Sequence, residues 1–150
     1  MSISGKLNDA KKNPVVYITR CATFSACHRL HSPKLSDEEN RKIFGKCNHI
    51  NGHGHNYRLE VTLKGEVEED TGMVYNLSDL CKVIETCVIE LMDHKNLDKD
   101  VEFFKNNTST SENLCVFIWH KLLENLSKPH LLFEVKLHET DNNIVYYKGE

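Results

Sequence analysis

From His53 the chain alternates with period two for twelve residues. His53, His55, Tyr57, Leu59, Val61 and Leu63 fall on one face, and Asn56, Arg58, Glu60, Thr62 and Lys64 on the other. A strand written this way packs on one side and meets water on the other, as antiparallel sheets allow and doubly covered parallel sheets do not. It must therefore find strand neighbours and a layer of helix over its apolar row.

The neighbours are readable. Val15 to His28 predicts a strand, with Val16, Ile18, Ala22, Phe24, Ala26 and His28 on one face and Arg20 interrupting it. Ser36 and Glu39 form a capping box for a short helix that stops at Gly45. The acidic stretch Glu66 to Thr71 and Gly72 turn the chain into a short strand at Met73 to Asn76. Leu131 to Thr140 and Ile144 to Lys148 predict a final hairpin through Asp141-Asn142-Asn143, with Phe133, Val135, Leu137 and Glu139 in one row.

The cover comes from two helices. One, capped by Asn76 or Ser78, carries Leu77, Leu80, Cys81, Ile84, Cys87, Val88, Leu91 and Met92 at helical spacing. The other opens on a capping box of Ser109 with Glu112, carries Cys115, Ile118, Trp119, Leu122, Leu123 and Leu126, and ends before Pro129. Strands at both ends with helices grouped between predict an α+β fold, an antiparallel four-stranded sheet with two helices on one face. The uncovered face is expected to be half-apolar and to be buried by oligomerisation.

With 150 residues the chain has material for one domain, expected over 14–150 after a frayed, polar segment over 1–13. The net charge of −3 excludes a basic nucleic-acid footprint. No apolar run approaches the ~20 residues of a membrane span. Without an apolar signal core at its start, the protein is expected to be cytoplasmic, its six cysteines free thiols. Cys81, Cys87 and Cys115 read as small core residues; Cys47 differs, lying in a polar Gly/His/Asn-rich loop.

In a strand, residues i and i+2 point the same way, so His53 and His55 project together, and His28 can join them from the neighbouring strand. Three imidazoles converging in a partly dry site suit zinc and leave a tetrahedral ion one open position. Cys47 keeps two readings alive: a fourth ligand closing a structural site, or a free thiolate beside a catalytic one. Asp93-His94 is either a helix C-terminal imidazole or a carboxylate orienting an imidazole for proton transfer. Glu139 ends an apolar row, where a carboxylate needs a partner: an arginine, or a ligand edge with two adjacent N–H donors. The capping box accounts for Glu112 without a ligand.

Five motifs then occur in order: Phe24-Ser25-Ala26-Cys27-His28-Arg29-Leu30, Cys47-x5-His53-Gly54-His55, Leu91-Met92-Asp93-His94-Lys95-Asn96-Leu97, Thr110-Ser111-Glu112-Asn113 and Glu139-Thr140-Asp141-Asn142-Asn143. Together they resemble the animal-type 6-pyruvoyl-tetrahydropterin synthases, from about Tyr17 to the last residue. The resemblance implies a tunnelling fold, in which three subunits close their sheets into a barrel and two trimers stack into a homohexamer. It implies one zinc per subunit on His28, His53 and His55, with magnesium accompanying the triphosphate as a second candidate cation. Cys47, Asp93 and His94 match the family's catalytic group. Glu139 matches the pterin anchor, with Thr110 and Ser111 lining the same pocket.

The implied activity is a zinc-dependent lyase of tetrahydrobiopterin biosynthesis, converting 7,8-dihydroneopterin triphosphate to 6-pyruvoyl-tetrahydropterin and triphosphate. Its partner is a small-molecule pterin, with neither nucleic acid nor membrane. The five residues between Cys47 and His53 resemble this branch more than the bacterial carboxy-tetrahydropterin enzymes, which carry three. One departure is Cys27, where the family commonly has serine; strand register turns it away from His28. The rivals are a related pterin enzyme with another product and a non-catalytic protein with a closed Cys-His₃ zinc.

Overall fold

The computed structural model describes residues 12–150, so the segment expected to fray, 1–13, lies outside the described residues but for its last two. β1 (Val15–His28) and β2 (His53–Glu66) pair antiparallel without a break, from Val15 opposite Glu66 to His28 opposite His53. β4 (Leu132–His138) flanks β2, and β5 (Ile144–Tyr147) flanks β4.

The far edge departs from expectation. β3 (Lys95–Asn96) pairs parallel with Ala26 and Cys27 of β1, so the sheet has five strands in the order β3-β1-β2-β4-β5 and is mixed, not four-stranded antiparallel. A two-residue strand carries no period for a sequence to display; docking against β1 makes it. Met73 to Asn76 form no strand. There the Glu68 N–H donates to the Met73 carbonyl, Val74 and Tyr75 are buried, and the Asn76 side chain accepts the Ser78 N–H as helix cap.

α1 (Asp37–Phe44) has the expected capping box, Ser36 with Glu39. The next helix runs as α2 (Leu77–Ile84), a π-helical turn (Glu85–Ile89) and α3 (Glu90–Met92). The π turn holds an extra residue and rotates the stripe. Leu80, Ile84, Val88 and Met92 are buried, while Leu77 and Leu91, expected in the same stripe, are exposed. A one-turn helix, α4 (Leu97–Asp100), follows β3. α5 (Ser111–Asn125) begins one residue later than expected, because Thr110 caps it, accepting the Asn113 N–H. The Ser109–Glu112 box does not form; the Ser109 hydroxyl donates elsewhere, to Asp98.

One face of the sheet carries the core. Tyr57, Leu59, Val61, Leu63, Val135 and Leu137 are buried under Leu80, Ile84, Leu114, Ile118 and Leu122 from the helices. Each fully buried leucine or isoleucine contributes about 1.5–3 kcal/mol. Leu63 pairs with Leu132 while Thr62 pairs with Glu134, so Phe133 is a bulged residue. The bulge corrects the predicted row Phe133, Val135, Leu137, Glu139. Phe133 turns outward, its ring edge-on to exposed Tyr17 at 4.9 Å, with Lys64 and Lys148 over it. All six cysteines are free thiols; Cys87 and Cys115 are buried, Cys81 only partly.

Candidate metal and active centre

Register brings the three histidines together. His28 and His53 stand opposite each other at the shared end of β1 and β2, and His55 lies opposite Ala26, so all three face the helices. Their ring centroids are 4.7, 4.9 and 5.3 Å apart, and one nitrogen from each lies within 4.8 Å of the others. Gly52 makes the entry to β2: its φ of +71° is the left-handed region, and a Cβ there would sit 2.8 Å from the His28 carbonyl oxygen.

His28 is fully buried, and its Nδ1–H donates to the Ser109 carbonyl at 2.7 Å. A carbonyl only accepts, so neutral His28 carries its proton on Nδ1 and presents the Nε2 lone pair to the cluster. That Nε2 lies 3.1 Å from His53 Nε2. Two nitrogens bonded at about 2.0 Å to one tetrahedral ion stand about 3.3 Å apart, close to this spacing. His55 Nε2 is buried with no hydrogen-bond partner, its nearest opposite charge being Glu139 Oε1 at 3.9 Å. A buried orphaned imidazole nitrogen is costly in a protein alone and is what a metal ligand looks like without its ion. Burial pushes the His28 and His55 pKa values down, holding both in the neutral, ligating form. The donor set fits a divalent cation that accepts nitrogen ligands.

Cys47 sits in a single 3₁₀ turn, Gly45–Asn48, half-buried. Its carbonyl accepts the Leu30 N–H at 3.0 Å, and Asn48 donates from its side chain to the Leu30 carbonyl at 2.7 Å. Arg29 Nε donates to the Asn48 carbonyl at 2.8 Å. The loop is thus tied to the chain just after His28. Among the described residues, the atoms that converge as metal ligands are the three histidines, without the Cys47 thiol.

Asp93 and His94 follow α3, where His94 takes a φ of +59°. Their side chains touch: His94 Nδ1 lies 2.8 Å from Asp93 Oδ2, while Asp93 Oδ1 accepts the Ser25 N–H at 2.9 Å. The Ser25 amide first, then His94, holds the Asp93 carboxyl below the usual carboxylate range. The His94 ring is largely exposed.

Glu139 lies just past β4, its N–H donating to the Asn143 carbonyl at 3.0 Å across the hairpin. The Ser111 hydroxyl at the start of α5 donates to Glu139 Oε2. Thr110, Ser111 and Glu139 line one cavity of about 510 Å³ with Leu30, Phe44 and Asn143. No arginine pairs with Glu139 among the described ion pairs; its contacts are Ser111 and His55. Arg29, Arg41 and Lys46 line a second cavity of about 510 Å³.

Sequence reasoning missed Asp98. Its Oδ2 accepts the Arg29 N–H at 2.7 Å and its Oδ1 the Ser109 hydroxyl at 2.5 Å. The signal available was slight: an acidic residue one position past the Leu91–Leu97 motif, indistinguishable from a first-turn helix charge.

Comparison with known proteins follows the same residues. The family model described as "6-pyruvoyl tetrahydropterin synthase" matches residues 17–150. The chain is 56% identical over 138 residues to the Drosophila melanogaster "6-pyruvoyl tetrahydrobiopterin synthase", covering 92% of this chain and 82% of that one. It is 54% identical over 133 residues to the Homo sapiens protein of that name, covering 89% and 91%. The solved Caenorhabditis elegans 6-pyruvoyl tetrahydropterin synthase superposes with a TM-score of 0.91 at 52% identity, covering 93% of this chain and 99% of that one.

Proposed function

This chain belongs to the 6-pyruvoyl tetrahydropterin synthase family, and we propose that it is the zinc-dependent lyase acting on 7,8-dihydroneopterin triphosphate in tetrahydrobiopterin synthesis. The observation that carries the reading is the three-histidine cluster, with its orphaned His55 Nε2, set 3.9 Å from a carboxylate that lines a ligand-sized cavity. His28, His53 and His55 would hold the ion, and a bound zinc supplies Lewis acidity to oxygens of the substrate side chain. Three protein ligands would leave a position open for substrate, and Cys47, outside the cluster, would then be a free thiol.

The chain's own residues do the rest. Glu139 accepts the paired N–H donors of the pterin edge, with Ser111 fixing one carboxylate oxygen. Cys47 as thiolate takes carbon-bound protons from the side chain. Asp93 fixes the His94 tautomer, so that the imidazole moves protons to and from side-chain oxygens. The carbon–oxygen bond to the triphosphate breaks, triphosphate leaves with that electron pair, and the remaining atoms rearrange to the 6-pyruvoyl product. No external oxidant is required, since side-chain carbons are oxidised as the ring is reduced.

The exposed outer sheet face, with Tyr17 and Tyr146, supports a homohexamer of two stacked trimeric barrels. No helix among the described residues is long and apolar enough to cross a membrane. The test is triphosphate release from 7,8-dihydroneopterin triphosphate under anaerobic conditions, with the pteridine product identified in the same tube. Release with a 6-pyruvoyl product is expected. A carboxy- or hydroxymethyl-pterin product, or no release from zinc-loaded protein, would overturn the reading.

A further inference from the structure

The segment 93–98 runs along the free edge of β1 and grips it at both ends. Asp93 Oδ1 accepts the Ser25 N–H at 2.9 Å, the His94 N–H donates to the Ser25 carbonyl at 2.6 Å, and β3 pairs with Ala26 and Cys27 between. At the far end Asp98 Oδ2 takes the Arg29 N–H at 2.7 Å. The other oxygen of the same carboxylate takes the hydroxyl of Ser109, whose carbonyl is the acceptor for His28 Nδ1–H. His28 and Ser109 are both fully buried.

From this we propose that Asp98 is a positioning residue of the metal centre, aiming the His28 imidazole through Ser109 and Arg29. The inference rests on the reading of the three histidines as metal ligands. Asp98 braces His28 from two sides: its own backbone through the next amide, and its ring through the peptide carbonyl that sets the tautomer. The hydroxyl of Ser109 is otherwise free to cap α5, and Thr110 has that task instead. A carboxylate with one oxygen on a backbone amide and the other on the hydroxyl of a fully buried serine is a built support, not a free surface charge. The group that accepts a ligating histidine's other N–H fixes ring orientation, and its loss typically costs 10–100-fold in metal affinity; here that group is the Ser109 carbonyl, and Asp98 holds Ser109 in place. The same segment ties the Asp93–His94 pair and the backbone after His28 to one strand, β1, so a shift of that segment moves both.

The experiment is zinc affinity by competition with a chelator, run on the full chain, with the cobalt(II) absorption spectrum of each variant as a second readout. Ser109→Ala and Asp98→Asn are expected to bind zinc at least tenfold more weakly and to shift the cobalt bands, while far-ultraviolet dichroism stays that of the parent. Ser109→Thr, which keeps the hydroxyl, is expected to restore affinity. If Asp98→Asn does not fold, Ser109→Ala alone carries the test, since it removes only the donor. Parent-like affinity and spectra in the folded variants would overturn the positioning role while leaving the metal centre standing. Failure of the parent itself to bind zinc would overturn both.

Discussion

His94 Nδ1 lies 2.8 Å from Asp93 Oδ2, a contact between adjacent residues made possible by the left-handed backbone of His94. Chain neighbours in helix or strand point apart; here the helix has just ended and the turn folds the ring back over the carboxylate. The carboxylate is anchored in turn to the Ser25 amide, so the pair is fixed to β1 as well as to the helix it follows, where the Asp93 N–H donates to the Ile89 carbonyl at 2.8 Å.

That anchoring has a pH signature. The Ser25 amide and His94 hold the Asp93 carboxyl below its ordinary value, so its contribution to stability is fully present above about pH 4 and is lost as pH falls through the lower, folded value. Urea midpoints of the parent and Asp93→Asn, measured from pH 6 down to pH 2, are expected to differ most near neutrality and to converge in acid. A constant difference across that range would show that the carboxylate's charge is not what matters.

The buried histidines act with the opposite sense of charge. Burial lowers the His28 and His55 pKa values, so between the folded values and about 6.5 the unfolded chain binds more protons than the folded one. Stability of the metal-free protein should therefore fall on acidification below about pH 6.5. Denaturant melts at pH 7.5 and 5.5, with chelator present, are expected to show the loss. His28→Asn should lessen the dependence on pH, even if its absolute stability is lower.

Variants at Cys47 and His53 test the proposed chemistry apart from the proposed metal holding. Cys47→Ala is expected to retain one zinc per chain and lose at least 100-fold in turnover, in the range ascribed to a positioned proton-transfer group. His53→Ala is expected to lose the zinc itself. Zinc analysis of the purified variants checks both, and zinc loss from the Cys47 variant would support a closed Cys-His₃ site instead.

For Glu139→Gln, one of the two carboxylate oxygens becomes a donor facing the donors of the pterin edge. Pterin binding is expected to weaken at least tenfold, of the order of a lost charge-assisted hydrogen bond. Titration calorimetry with an unreactive pterin measures it, with metal content as the control. Unchanged affinity would remove Glu139 as the anchor.

Gly52→Ala tests the strand junction. It combines a left-handed backbone with a Cβ placed 2.8 Å from the His28 carbonyl. The expected cost is about 1–3 kcal/mol in unfolding free energy. Weaker zinc binding should accompany it, because the displaced carbonyl belongs to His28, one of the three proposed ligands.

Much of this was legible in the chain. The alternation from His53 to Leu63 placed two imidazoles on the inward face, and the second strand placed His28 on the same side; register then made all three meet. The five ordered motifs pointed to the family that the comparisons show. Where the structure departs from the sequence pattern, the causes are local. The π turn at Glu85–Ile89 hides within a good helical stripe and exposes Leu91. The bulge at Phe133 breaks strict alternation, and the Ser109–Glu112 spacing mimics a capping box whose serine is needed elsewhere.

Periodicity and capping act between residues a few positions apart, so the chain's local pattern settles which faces pack, where most helices begin and which residue types are available for chemistry. Tertiary structure alone decided that Lys95–Asn96 becomes a strand, that Asp93 ties to Ser25 and that Asp98 reaches both Arg29 and Ser109. Those contacts join residues 11 to 69 positions apart. They exist because a buried polar group must find a partner wherever the packed chain brings one, and no local pattern records which one that is.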